Sequence, residues 1–310
     1  MAGALSPPPL FAPLKLGELH LPNRIVVEST VDAMTVRSGA GLVLTEPVAV
    51  TAQGRITPDT PTLDSVSEWT AIAARVHDSG ALLGVRLSHA GRRGATRPAS
   101  QGRDVPLPSG EAWPLLAASA TPFGPFAQLP KAMDDADKAT VREAFAAAAG
   151  RAARAGVDLL ELDMADGYLL AGFRSPLASQ PPDPAFPLSI VDAVRSVWTS
   201  ALAVRLTVTD WARGGLEIDD AIAFARELRD RGVDLVHIRA GQTVTHTRPK
   251  YHRGYLTTLS DRVRNEAGVP TLVGGYLTRP DEVNTIVAAG RADLCLLDLE
   301  PSAVEAVVLG

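Results

Sequence analysis

The sequence predicts a (β/α)8 TIM barrel of the α/β class, on three observations. Short, nearly continuous apolar runs recur along the 310 residues and alternate with stretches of helical spacing. Eight such runs are present, which favours a closed barrel over the alternative, an open doubly wound sheet. A junction in which a helix stops at glycine and a Val-Asp-Leu strand follows recurs at 156–159 and 232–235, with a variant at 290–294.

Taken in order, the strands are expected at 24–29, 41–46, 82–88, 158–164, 202–208, 234–240, 271–276 and 293–297. Among the helices, 134–155 opens on acidic residues and closes at Gly156. The helix at 218–231 stops at Gly232, and 280–289 begins with Pro280 in its first turn and stops at Gly290. One domain spanning 1–310 accommodates all of these. The stretch 92–133, rich in Pro, Gly and Ser, reads as a long excursion at the C-terminal mouth of the barrel, where barrel chemistry resides.

An apolar fraction of 46%, a charged fraction of 21% and a formal charge of −5 describe an ordinary globular protein. They give no reason to expect nucleic acid or an anionic membrane as partner. The start, MAGALSPPPLFAPL, lacks the basic and apolar regions of a signal peptide, and no run approaches the length of a membrane span. A single cysteine, Cys295, makes a reducing cytoplasm the expected compartment. No His/Cys/Asp spacing suggests a metal site, and His20 and His77 fall away from the mouth.

Seven segments then carry a resemblance. LFAPLKLGELHLPNRIVV, GAGLVLTEPVAVTAQGRITP, GVRLSHAGRRG, DLLELDMADGYLLAGFRSPL, GQTVTHTRPKY, DRVRNEAGVPTLVGGYLT and AAGRADLCLL follow one another in the order of the old yellow enzyme family, which the chain resembles over nearly its whole length. It is most similar to the reductase half of aromatic acyl-CoA monooxygenase/reductases of the salicylyl-CoA and aminobenzoyl-CoA types. The resemblance implies a barrel that binds FMN and passes hydride from NAD(P)H to an activated double bond.

Four departures bear on that expectation. Asp163 and Asp166 replace the two donors that hold the substrate carbonyl in the family, and ionised carboxylates only accept hydrogen bonds. Tyr168, the matching tyrosine, is kept. Where an arginine grips the FMN phosphate, the aligned positions read Asp298, Leu299 and Glu300. Arg86 stands in place of a flavin-facing glutamine and is expected to pair inside the barrel with Glu28 or Glu161. Glu28 to Thr30 replace a small-Pro-Met stretch, while Arg205, matching the flavin-contacting arginine, remains. Two segments are also short: about a dozen residues join the first two strands, and the loop after the fourth has shrunk to 179–184.

These departures lead to an expectation of flavin-independent acid/base chemistry, of isomerase, dehydratase or cyclase type, with no cofactor. The substrate would be an activated carbonyl or a CoA- or carrier-linked aromatic or polyketide intermediate. Asp163, Asp166, Tyr168, His89 and Glu28 would carry the reaction, and Arg86, Arg92, Arg205 and Arg239 would bind the substrate. Converging carboxylates would split their pKa values into an acid and a base. Two alternatives stay open: an FMN-dependent NAD(P)H ene-reductase, with Arg205, Arg86 and Gly274 at the cofactor, and a non-catalytic ligand-binding relative. His237, Arg93, the GQT segment at 241–243 and the RPKY segment at 248–251 complete the candidates, and a homodimer stays open.

Overall fold

The computed structural model describes residues 8–34, 39–247 and 251–299. The chain enters through an antiparallel hairpin, β1 (Leu14–Leu16) and β2 (Leu19–Leu21), which turns at Gly17 with φ 57°. The sequence reading ran past this hairpin, although LKLGELHL alternates around a glycine. Leu16 and Leu21 are buried against Val26, Leu42, Leu159 and Leu235, so the hairpin plugs the N-terminal end of the barrel.

The barrel strands begin with β3 (Ile25–Ser29), β4 (Leu42–Ala49) and β5 (Leu82–Ser88). A short parallel pair, β6 (Leu116–Ala117) and β7 (Lys131–Ala132), lies within the 92–133 excursion. Five more barrel strands follow: β8 (Leu159–Met164), β9 (Ala201–Thr207), β10 (Leu235–Arg239), β11 (Thr271–Val273) and β12 (Leu294–Leu296). All eight barrel strands pair in parallel, and β12 closes onto β3. The closed barrel, not the open sheet, is the fold.

Seven α-helices are described: α1 (Val66–Asp78), α2 (Asp135–Ala155), α3 (Leu169–Arg174), α4 (Ala185–Arg195), α5 (Ile218–Asp230), α6 (Thr257–Ala267) and α7 (Pro280–Ala288). Helix α2 shows how local chemistry sets the ends. The Asp134 carboxylate accepts the Asp137 N–H, the Asp137 carboxylate accepts the Asp134 N–H, and Gly156 closes the helix at φ 77°. Between β3 and β4 the described residues hold only a single 3-10 turn, Val31–Ala33, in keeping with the short link expected there.

Side chains in a strand alternate between faces, and this places the site. Val27, Val43, Leu83, Leu160, Val204 and Val236 point outward into the layer covered by the helices. Val26, Leu44, Leu159, Ala203, Leu235, Leu272 and Leu294 form an apolar layer inside the N-terminal half of the barrel. A Cβ on Gly84 would stand 2.4 Å from Leu44 Cδ2, so any larger residue there would force Leu44 to move within that layer. Two residues further along the same inward face stand Glu28, Arg86, Glu161, Arg205 and His237. The expected strand at 271–276 ends at Val273, because Gly275 and Tyr276 adopt φ 101° and 60° and turn the chain away.

Candidate active site

Register turns the inward charges into pairs. Arg86 lies opposite Glu161 across β5 and β8, and Asp163 lies opposite Arg205 across β8 and β9. Arg86 Nε donates to Glu161 at 2.5 Å and its Nη2 to Glu28 at 2.7 Å, so Arg86 joins both of its expected partners. His237 Nδ1 lies 2.8 Å from the other Glu161 oxygen. Burial pushes the Glu161 carboxyl up, but Arg86 and His237 outweigh it and hold Glu161 well below the usual carboxylate range. Burial also lowers the His237 pKa, against the pull of Glu161. A neutral His237 beside an ionised carboxylate donates its Nδ1–H and presents its Nε2 lone pair.

Alternation alone would send Asp163 and Asp166 to opposite faces. After β8 the chain turns through Asp166 and Gly167, with φ 54° and 74°, and both carboxylates converge on one guanidinium. Arg205 Nη1 donates to Asp163 at 3.0 Å and Nη2 to Asp166 at 2.5 Å, while Arg239 Nη2 stands 3.4 Å from Asp166. Burial raises both carboxyls. For Asp166, Arg205 and Arg239 reverse that effect and hold it well below the usual range. For Asp163 burial wins and its pKa is raised, with Ser88 Oγ donating to it at 3.2 Å.

The mouth above these residues is a cavity of two lobes. The larger, about 850 Å³, is bordered by Glu28, Arg205, His237, Arg239, Gly275 and Tyr276, among others. The smaller, about 370 Å³, is bordered by Arg86, Arg93, Asp166 and Tyr168 together with residues of the excursion. Glu28, Glu46, Arg103, Arg205, Arg239 and Gln242 border both, which makes the lobes continuous. Tyr251, Tyr255 and Tyr276 form an aromatic wall on the larger lobe, with centroids 5.1 Å apart for the first two and 5.9 Å for the last two.

Of the expected catalytic residues, Glu28, Asp166 and Tyr168 border this mouth. Asp163 lies beneath it, behind Arg205. His89 is buried: its Nδ1 accepts the Gly91 N–H at 3.1 Å, and burial pushes its pKa down to about 4. Of the expected binding residues, Arg86, Arg205 and Arg239 border the mouth. Arg92 instead donates to the Thr243 carbonyl at 2.6 Å and lies over Phe123. Gly274 packs on Leu296, and it is the next residue, Gly275, that borders the cavity. Arg93 is tied in a bidentate pair to Asp104 and lies over the Phe123 and Tyr168 rings. Gln242 and Tyr251 stood in the GQT and RPKY segments singled out from the sequence, whereas Tyr255, Tyr276 and Arg103 were not singled out. Tyr251 and Tyr276 stood inside segments that carried the resemblance, but only the turn after β11 brings them together. Residues 248–250 and Glu300 lie outside the described residues.

The mouth fits a flavin by the chemistry of its unpartnered atoms. Arg205 Nε, Arg239 Nε and His237 Nε2 are buried on cavity-lining side chains and have no hydrogen-bond partner among the described residues. Two donors and one acceptor match in kind the uracil-like edge of a flavin ring, which offers two carbonyls and one N–H. Gly275 and Tyr276 follow the seventh barrel strand, where barrels commonly hold phosphate.

A model of the NADH:flavin oxidoreductase / NADH oxidase family matches residues 9–297. An NADPH dehydrogenase of Geobacillus thermodenitrificans is 32% identical, covering 94% of this chain and 90% of its own. The NADPH dehydrogenase of Bacillus subtilis is 30% identical over the same shares. Among solved structures, a 2-naphthoyl-CoA reductase superposes with a TM-score of 0.84 at 19% identity, covering 97% of this chain. The present chain spans about half of that protein, 52%. Morphinone reductase superposes with a TM-score of 0.76 at 22% identity, over 97% of this chain and 90% of its own.

These relatives overturn two expectations, flavin-independent acid/base chemistry and the absence of a cofactor, and they give no support to a loss of reductase activity. The physical reason lies in Arg205. Two converging aspartates suggested an acid and a base, but both are tied to one guanidinium, and only Asp166 borders the cavity. Asp298 and Leu299 border the cavity and offer no cation to a phosphate, which backbone N–H groups can bind as well.

Proposed function

Because the chain belongs to the NADH:flavin oxidoreductase / NADH oxidase family, we propose that it is an FMN-dependent NADPH dehydrogenase that reduces a double bond conjugated to a carbonyl. The observation that carries this reading is the two-lobed mouth, in which a flavin-complementary set of atoms adjoins a substrate-sized space. FMN, when bound, supplies hydride transfer from the nicotinamide to the double bond. Arg205, Arg239 and His237 would hold its ring edge. The Gly275 and Tyr276 amides would meet its phosphate, since Asp298 offers no cation there. We assign this work to one domain spanning 1–310 and acting in the cytoplasm.

In the smaller lobe the chain's own residues divide the labour. Tyr168 is a neutral acid at the cavity wall: burial raises its pKa, and the adjacent Arg93 only partly opposes this. It is placed to deliver the proton that the reduced carbon needs. Arg239, which reaches both lobes, supplies the donor to the substrate carbonyl that Asp163 and Asp166 cannot. The excursion forms one wall of this lobe through Thr96, Arg97, Ala99, Arg103 and Asp104.

The test is the absorbance of freshly purified protein in the near-ultraviolet and blue, with FMN released on denaturation and NADPH-dependent reduction of cyclohexenone. Colourless protein that neither takes up added FMN nor oxidises NADPH would sink the reading. Tyr168→Phe is expected to slow cyclohexenone reduction by about 10²-fold or more, while NADPH oxidation by dioxygen continues. Equal loss of both activities would argue against the proton-donor role. Asp298→Asn is expected to tighten FMN about tenfold by removing a repulsion worth about 1.4 kcal/mol, read by flavin fluorescence titration.

A further inference from the structure

The smaller lobe is bordered by six arginines against four carboxylates. Most of these charges are already paired. Arg86 is held by Glu28 and Glu161, Arg93 by Asp104, and Arg205 by Asp163 and Asp166. Two guanidiniums, Arg97 and Arg103, have no hydrogen-bond or ion-pair partner among the described residues. Glu46 is the only carboxylate of the four without a partner there, and Arg239 adds a third cation held only at 3.4 Å.

Arg97 and Arg103 do not sit on a loose loop. The Arg97 N–H donates to the Val105 carbonyl at 2.8 Å and the Leu107 N–H to the Ala95 carbonyl at 2.9 Å, with Thr96 bridged to Pro106. This closes the chain between them into a hairpin. The Arg93–Asp104 fork then ties that hairpin to the barrel mouth, and Arg93 in turn donates to the Asp166 carbonyl. Two unpaired cations are therefore held on a braced support at the rim of the space where substrate would sit. A charge-assisted contact with a guanidinium fork is the strong form of anion recognition.

We propose that the substrate carries an anionic group, separate from the double bond that is reduced, and that Arg97 and Arg103 select for it. This rests on the reductase reading and names its substrate class. The anion can be a carboxylate of the substrate itself or a phosphate of a carrier attached to it.

The probes are 4-carboxycinnamaldehyde and its methyl ester, which share one carbon frame and differ by one charge. Binding to the purified holoenzyme is measured by calorimetry without NADPH, so that it does not depend on turnover. The acid should bind at least about tenfold tighter than the ester, and the ratio should fall towards one with added salt. In Arg97→Ala/Arg103→Ala the ratio should drop to about one, and in Arg97→Glu/Arg103→Glu the ester should be preferred. Both positions are exposed and unpaired, and thermal melting checks that each variant is folded. Coenzyme A added as competitor separates the sources: displacement of the acid in the wild type but not in the double variant assigns the anion to a phosphate-bearing carrier, and no displacement assigns it to a carboxylate. Equal affinity for acid and ester in the wild type, or a preference that survives in the double variants, overturns the proposal. Failure to turn over either probe despite a clear preference counts against the reductase reading alone.

Discussion

Replacing Arg205 with methionine will empty the proposed flavin site and lower folding stability by about 3–5 kcal/mol. The guanidinium is buried and pairs with two carboxylates at once, Asp163 at 3.0 Å and Asp166 at 2.5 Å. Without it those two groups face each other in a medium of low polarity, opposed only by weaker attraction from Arg239 and Arg93 at Asp166 and from Arg86 at Asp163. The larger lobe also loses one of the two buried N–H donors, Arg205 Nε and Arg239 Nε, that have no partner among the described residues. Urea denaturation and the flavin content of the purified protein read the two effects separately. Adding Asp163→Asn and Asp166→Asn to Arg205→Met should recover much of the stability but not the flavin, because the like charges are gone while the donor is still missing. A single Arg205→Met variant that keeps its colour and its stability would show that the Asp–Arg–Asp cluster carries neither role.

Acid should destabilise the protein in two steps, the first of them unusually early. His89 is buried with its pKa pushed down to about 4, against an ordinary value near 6.5. As pH falls from about 6.5 to about 4, the unfolded chain takes up a proton that folded His89 refuses. Stability that is fully present above pH 6.5 is therefore lost across that window, on the order of 3 kcal/mol at 1.36 kcal/mol per unit. His237, also lowered by burial, works in the same direction. Below about pH 4 the second step begins, because Glu161 and Asp166 are held below the usual carboxylate range and their contribution goes as they protonate. Asp163, whose pKa is raised, has the opposite sign: folded Asp163 takes up its proton above the ordinary carboxylate range and so offsets part of the first step. Urea midpoints across pH 3 to 8 read the curve. His89→Gln should flatten the upper step. If that limb is unchanged in the variant, His89 is not its source.

The charge ladder shows how much of the site was legible and where legibility stopped. A strand period of two is enough to put Glu28, Arg86, Glu161, Arg205 and His237 on inward faces once the strands are recognised. The pairing of Arg86 with Glu28 and Glu161 could therefore be anticipated. Asp166 could not be placed by the strand period, since its direction depends on a turn with φ 54° whose only local signal is the Asp166–Gly167 pair. His89 and Arg92 stood in a segment that looked like active-site equipment. Their burial follows from how the turn after β5 packs on Leu169 and Thr243, contacts that are 80 and 151 residues apart in sequence.

By itself, then, the sequence determined the barrel. Eight parallel strands, the helix ends at Asp134, Gly156 and Pro280, and the excursion over the mouth are all written in local periodicity and capping chemistry, which act over a few residues. What the tertiary structure alone decided is the state of the charges. Asp163 and Asp166 looked like an acid and a base until Arg205, brought from a neighbouring strand, turned them into the two arms of one ion cluster. In the same way Arg97 and Arg103 were anonymous loop residues until the closed hairpin and the Arg93–Asp104 fork set them at the rim of a cavity. A side chain's charge state depends on its neighbours in space and on its distance from water, and both are fixed only when the barrel closes.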